Sequence, residues 1–298
     1  MKVSFIGLGV MGGGMAMNLG TKSKGEFEFV AINPSDEVLA PYAAEGFTTA
    51  KDNIVAAEGD VTFLCLPTGE IVKNVLFGEN GLAAKMKPGH IVVDCSTIGY
   101  KDAVEVHDKL AALGIGFLDA PISGHHAKAV AGTLTIMVGG EEELFKQLKP
   151  MFDKMGTTVQ YMGVVGGGQL AKMINNCVFD VCIASFCELM PVAVKMGLKP
   201  EAIGEILMNG ASSSYASKSL IPEILQGNFE YGFSLERAYK DILYMYEITD
   251  HDCIPLPTFD GMVQTYKKAM LAGYGKEYKG AMIKVYEEML GVKCRKEA

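Results

Sequence analysis

Six residues constrain this chain more than any others: Gly7-Leu8-Gly9-Val10-Met11-Gly12, a G-x-G-x-x-G that follows the apolar run Val3-Ser4-Phe5-Ile6 and opens a helix-forming segment. The first glycine permits a tight turn, the second lets the backbone approach a pyrophosphate, and the third allows helix and strand to pack closely. Amides at the start of that helix then face an anion. Taken alone, the motif is also what a glycine-rich turn in any α/β protein looks like. Here it stands at the head of a half-chain that alternates β-rich runs with helical stretches, and that context predicts nucleotide binding.

The alternation predicts strands over Lys2 to Ile6, Glu26 to Ile32, Asp60 to Leu66, His90 to Asp94, Gly116 to Asp119, Leu134 to Val138 and Thr158 to Tyr161, with helices at Tyr100 to Leu113 and Glu141 to Met155. Ile91-Val92-Val93 is apolar without alternation, as in a parallel strand covered on both faces. After Gly166-Gly167-Gly168 the pattern becomes wholly helical. One long helix is expected from Gln169 to Lys195, then helices over Pro200 to Met208, Tyr215 to Leu225, Leu235 to Asp250, Thr258 to Ala272 and Lys279 to Leu290. The fold class expected is α/β: an N-terminal doubly wound Rossmann sheet over residues 1–165, and an all-α substrate and oligomerisation domain over 166–298, joined by the long helix. A length of 298 residues agrees with two domains.

Net charge of -8, without a run of Lys or Arg, argues against a nucleic-acid partner. The opening apolar run is too short for a signal peptide and no segment approaches the apolar length of a membrane span, so a cytoplasmic protein without a membrane partner is expected. The seven cysteines form no C-x-x-C pair and read as reduced core residues. Cys177, Cys182 and Cys187, five apart, turn to different faces of a helix, which argues against a shared metal.

At the end of the second strand, where an acidic residue would select NAD and an arginine NADP, the chain reads Asn33-Pro34-Ser35. Either cofactor fits, and the missing charge barrier favours NADP. The same three residues are also what a turn and helix cap require.

Four further motifs follow in order: Asp119-Ala120-Pro121-Ile122-Ser123-Gly124; Gly132 through Gly140 (GTLTIMVGG); the triple glycine leading to Lys172 and Asn175-Asn176; and Lys240-Asp241. With the first, they resemble the β-hydroxyacid dehydrogenases of the 6-phosphogluconate dehydrogenase superfamily, a family that includes 3-hydroxyisobutyrate dehydrogenase, glyoxylate/succinic semialdehyde reductase and 2-(hydroxymethyl)glutarate dehydrogenase. The resemblance runs nearly end to end. It implies an NAD(P)-dependent enzyme that interconverts a small, anionic β-hydroxyacid and its semialdehyde or keto acid in a cleft between two domains. It also implies roles: Lys172 as general acid/base, Asn176 orienting the reacting oxygen, Ser123 and Gly124 clamping the substrate carboxylate, and Asp241 bordering the site. Gly7, Leu8, Gly9, Val10, Met11, Gly12, Asn33, Ser35, Leu66, Pro67, Thr97, Phe233 and Lys240 correspond to cofactor contacts.

The residues support the central pair independently, since Lys172 and Asn176 lie four apart and project from one face of a helix. Ser123-Gly124 follows a strand at its carboxyl end, where ligands bind in open α/β sheets, and can offer a hydroxyl and amides to an anion.

Two departures from the family pattern bear on the substrate. His125 replaces a small residue; it is read as narrowing the pocket or donating to a distal polar group, ahead of a second acid/base or a metal ligand, with His126 facing solvent and Lys128 near enough to assist. Gly210 to Tyr215 contains serines where some relatives carry an arginine, so long dicarboxylates are disfavoured unless Arg237, Lys128 or His125 substitutes. Arg237 reads equally as a surface ion-pair residue. The apolar C-terminal half predicts a homodimer or homotetramer. Two alternatives stand beside the dehydrogenase: a cofactor-binding sensor or scaffold without turnover, which Lys172 and Asn176 beside the glycines oppose, and an imine reductase-like relative, a group whose resemblance implies no lysine at this position, so that Lys172 opposes it.

Overall fold

In the computed structural model, which describes residues 1–230, 232–250 and 253–296, the chain forms two compact units, Met1–Lys172 and Met173–Ala298. The first opens as β1 (Lys2–Ile6), α1 (Val10–Lys22), β2 (Glu28–Ile32), α2 (Asp36–Ala44), β3 (Thr48–Ala50), β4 (Val61–Leu64), α3 (Gly69–Phe77), β5 (Ile91–Asp94), α4 (Tyr100–Ala111) and β6 (Gly116–Asp119). These strands are parallel in the order β3-β2-β1-β4-β5-β6. Alternate residues feed two cores, with Phe5, Phe63 and Val93 on one face and Ile6, Leu64 and Val92 on the other. That division is the period-2 geometry of a strand, and it explains why these strands lack polar alternation.

The expected Rossmann sheet is present, and the remainder of this unit adds strands that depart from the parallel arrangement. After β7 (Ile122–Ser123) and α5 (His126–Ala131), β8 (Leu134–Gly140) runs antiparallel to both β6 and β7, while β9 (Gly156–Gly163), which follows α6 (Glu142–Met155), is again parallel to β8. Some short elements had no expectation at all: β3 spans three residues and β7 two. Each is too brief to develop a readable hydrophobic period.

A 29-residue helix, α7 (Gly167–Lys195), crosses from the first unit into the second. It also overturns the expectation that no segment is apolar over a membrane-spanning length, since an 18-residue window reaches a mean hydropathy of 1.9. The second unit's own core accounts for part of that hydropathy: Ile183, Phe186, Cys187 and Met190 of α7 pack with α9 (Tyr215–Gln226), α10 (Leu235–Thr249) and α11 (Pro257–Leu271) through Leu220, Ile221, Ile242, Val263 and Tyr266. Two shorter helices, α8 (Pro200–Asn209) and α12 (Ile283–Leu290), complete the described α-helices, and the helix expected from Lys279 begins as a 3-10 turn over Lys279–Met282. The serines before α9 serve locally. Ser214 accepts from the Ser217 amide at 3.1 Å and Ser217 Oγ accepts from the Ser214 amide at 3.0 Å, a reciprocal capping box.

At the amino-terminal side of the sheet, His90 is buried between Thr62 Oγ1, 2.9 Å from Nε2, and the Gly59 carbonyl, 2.8 Å from Nδ1. Burial lowers its pKa, against the smaller opposing pulls of the Gly59 carbonyl and Asp60. The unfolded chain therefore takes up a proton first as pH falls below about 6.5, and stability is lost over that window. Thermal unfolding should accordingly show a lower melting temperature at pH 5.5 than at 7.5, with a smaller difference in His90→Gln. An equal difference in the variant would remove His90 as the cause.

Candidate active site

The turn from β1 into α1 has the geometry its glycines suggest. Gly7 sits at φ +96°, and a Cβ there would lie 2.3 Å from the Cys65 carbonyl oxygen; one on Gly12 would lie 1.9 Å from the Gly7 oxygen. Gly9 differs, because nothing stands within 4 Å of where its Cβ would be. α1 begins with no capping side chain and no acidic residue in its first turn, so its amides meet no competing carboxylate. These features fit a pyrophosphate. Leu8 is buried, Met11 half-buried and Val10 exposed. Burial pushes the neighbouring Cys65 thiol up to about 12, which leaves no thiolate beside the turn.

At the end of β2, Asn33 Oδ1 accepts from the Ser35 amide at 3.0 Å, closing an Asx turn, while Ser35 precedes α2 without a side-chain cap. Asp36 opens α2 and pairs with Lys51 at 2.6 Å, so charges of both signs stand close behind this turn.

The chain just beyond β4 is joined to the chain just beyond β5 by a hydrogen bond, and a second one fixes the acceptor's segment. The Leu66 amide donates to Ser96 Oγ at 2.8 Å, and the Ser96 amide donates to Asp94 Oδ1 at 2.9 Å. Burial raises Asp94 to about 6. Thr97 is half-buried and Pro67 exposed. Beyond β7, Gly124 at φ +143° requires glycine's freedom. His125, His126 and Lys128 are all exposed, and the His125 carbonyl accepts from the amides of Lys128 and Ala129, starting α5. The far end of α5 is tied to α1 by Asn18, whose Nδ2 donates to the carbonyls of Ala129 at 2.9 Å and Val130 at 2.8 Å.

At the start of α7, Asp119 accepts from the amides of Gly166 at 2.7 Å and Gln169 at 2.9 Å. Lys172 is half-buried on the next turn.

Within the second unit, Asn176 Nδ2 donates to Asp241 Oδ2 at 3.1 Å, and Lys240 Nζ lies 3.4 Å from Asp241 Oδ1. Asn175 donates to Asn176 Oδ1 at 3.3 Å. One turn further along α7, buried Asp180 pairs with Lys279, whose ammonium also sits 5.0 Å from the Phe179 ring centroid and 5.2 Å from that of Phe233. Burial raises Asp180 against the pull of Lys279. Arg237 is exposed.

Family models match both parts of the chain: residues 2–163 match the NAD-binding domain of 6-phosphogluconate dehydrogenase, and 166–286 match the NAD-binding model of NADP-dependent 3-hydroxyisobutyrate dehydrogenase. The chain is 34% identical to 2-(hydroxymethyl)glutarate dehydrogenase of Eubacterium barkeri, over 98% of its own length and 96% of the relative's. This chain belongs to the β-hydroxyacid dehydrogenase family. It is 30% identical to the NAD-dependent L-serine dehydrogenase of Pseudomonas aeruginosa, over 97% and 99% of the two chains. A solved 3-hydroxyisobutyrate dehydrogenase from Salmonella typhimurium superposes with a TM-score of 0.83 at 29% identity, covering 96% of this chain and 99% of that one. The β-hydroxyacid dehydrogenase reading made from the motifs is therefore shown, and with it an NAD(P)-dependent enzyme of the EC 1.1.1 type.

Sequence reasoning missed Asn18, Asp94, Ser96, Gln169, Asp180 and Lys279, and it quoted Asp119 without giving it a task. Each acts through a partner 30 or more residues away or through burial, which spacing does not reveal. For this dehydrogenase the open space at Gly9 and the crowding at Gly12 make separable predictions. Gly9→Ala should melt like wild type yet bind NAD(P)H at least tenfold more weakly by fluorescence titration, whereas Gly12→Ala should lower the melting temperature itself. Undiminished binding by Gly9→Ala would displace the pyrophosphate from this turn.

Proposed function

We propose that this dehydrogenase interconverts a small β-hydroxyacid with its semialdehyde or keto acid, and that Lys172 moves the proton on the reacting oxygen. The observation that carries the reading is the face of α7: Lys172 and Asn176 lie one turn apart, and the Asn176 amide is held by Asp241 with Lys240 alongside. A lysine serves both directions, as an ammonium that protonates an alkoxide or as an amine that accepts the hydroxyl proton. Asn176, oriented by Asp241, turns amide hydrogen-bonding capacity toward the same oxygen. Ser123 and the backbone at Gly124 bind the substrate carboxylate, and exposed His125 meets the substrate's distal end. Nicotinamide, when bound, donates or accepts the hydride.

Gly7 through Gly12 hold the pyrophosphate, and Asn33 and Ser35 face the adenosine ribose. The absence of an acidic side chain at position 33 favours NADP, and Leu66, Pro67, Thr97, Phe233 and Lys240 complete the cofactor contacts. The small hydroxyacids for which relatives are named, 2-(hydroxymethyl)glutarate and L-serine, support a small-hydroxyacid substrate. Exposed Ile174, Val178, Leu189 and Val192 on α7 support a homodimer or homotetramer.

The test is absorbance at 340 nm with NAD(H) and NADP(H) separately, against L-serine, 3-hydroxyisobutyrate, 3-hydroxypropionate, 2-(hydroxymethyl)glutarate, glyoxylate, succinic semialdehyde and methylmalonate semialdehyde. Lys172→Ala should lower kcat by on the order of 10²–10⁴-fold, the usual worth of a positioned acid/base, with cofactor affinity retained. A Lys172→Ala enzyme as active as wild type would remove the lysine from the chemistry. A wild type that binds cofactor but turns over none of the panel would favour a sensor.

A further inference from the structure

Asp119 and Gln169 have no part in the chemistry proposed above, yet both are fully buried and all four of their side-chain polar atoms are engaged. Asp119 Oδ1 accepts from the Gly166 amide and Oδ2 from the Gln169 amide. Gln169 Nε2 donates to the Ser96 carbonyl at 2.8 Å, and Oε1 accepts from the Ile98 amide at 3.1 Å. The carboxylate stands in a niche that tolerates nothing larger, because a Cβ on Gly139 or Gly168 would approach its oxygens to 2.6 or 2.8 Å.

This arrangement replaces an ordinary helix cap. Residues Val164-Val165-Gly166 before α7 carry no Ser, Thr, Asp or Asn, and Gly166 turns at φ +79°. The helix therefore takes its capping carboxylate from the end of β6, 47 residues from Gly166. The second anchor, Gln169, reaches the segment after β5, where Ser96 Oγ also holds the amide of Leu66, a proposed cofactor contact. A single path of hydrogen bonds thus runs from Leu66 through Ser96 and Gln169 to the turn of α7 that precedes Lys172. Gln169 and Lys172 are three residues apart, a rise of roughly 4.5 Å along the helix.

We propose that Asp119 and Gln169 are positioning residues for Lys172, fixing the start of α7 against the ends of β5 and β6 so that the lysine's reach is measured from the same strand ends that receive the cofactor. This rests on the reading of Lys172 as the acid/base. Lysine has a long, rotatable stem, and its ammonium is placed only as well as the backbone from which it springs. An error of about 1 Å in such placement costs on the order of 10²-fold in rate.

The experiment compares wild type, Lys172→Ala, Asp119→Asn and Gln169→Met, using the panel substrate that wild type turns over fastest. It records kcat, KM for substrate and cofactor, NAD(P)H affinity by fluorescence, the solvent deuterium isotope effect on kcat, and thermal unfolding. Asparagine retains one acceptor but presents an amide to the other N–H; methionine fills the glutamine's space without its bonds. Asp119→Asn should bind cofactor as wild type does while kcat falls by on the order of 10²-fold, and its solvent isotope effect should rise because proton transfer has become the slow step. Gln169→Met should fall between Asp119→Asn and wild type on both readouts.

Folded variants with wild-type kcat and isotope effect would overturn the proposal, as would a loss of rate matched by an equal loss of cofactor affinity. If Asp119→Asn does not fold, Gln169→Met decides by the same criteria; failure of both to fold would make the pair structural and overturn the positioning role. An active Lys172→Ala sinks the underlying reading instead, and is distinguished because it leaves Asp119→Asn with no proton step to disturb.

Discussion

A long helix must satisfy the amides of its first turn, and α7 brings no capping side chain of its own. The Asp119 carboxylate answers that need from another strand, and fixes where the helix begins. Burial raises the pKa of Asp119, while the amides of Gln169, Gly166 and Gly168 oppose that shift. Such a bond does two things at once: it stabilises the helix start, where a cap is worth ~0.5–2 kcal/mol, and it fixes the helix's position on the sheet. Because Lys172, Asn176 and Asp180 recur every fourth residue on α7, the position of its first turn sets the origin of that whole row.

The same logic operates at α1. Its glycines bring the helix close to Cys65, just beyond β4, and leave open space at Gly9, while Asn18, two turns further on, holds the end of α5. α5 in turn follows the Ser123-Gly124 loop. The glycine turn and the Ser123-Gly124 loop are thus joined through α1, Asn18 and α5.

In the second unit, charges are buried but compensated. Asp241 holds Asn176 and meets Lys240, and Asp180 meets Lys279 between two phenylalanine rings. Breaking such a pair costs more than the pair contributes, because a lone buried charge remains. These contacts therefore specify the local conformation of the second unit more than they add stability.

How much of this was legible follows from the range of each interaction. The glycine turn, the parallel strands, the long helix and the spacing of Lys172 from Asn176 depend on residues within a few positions of one another, and local periodicity and turn chemistry displayed them; five motifs in order then pointed to the family. What tertiary structure alone decided were pairings across long stretches of chain: Asp119 with Gly166 and Gln169, Asn18 with α5, Asp180 with Lys279, and the antiparallel turn of β8. Short β3 and β7 acquired their structure from neighbours rather than from pattern. A linear sequence displays what a residue is and what stands beside it, but whether a carboxylate caps a helix 47 residues away depends on folding having brought the two together.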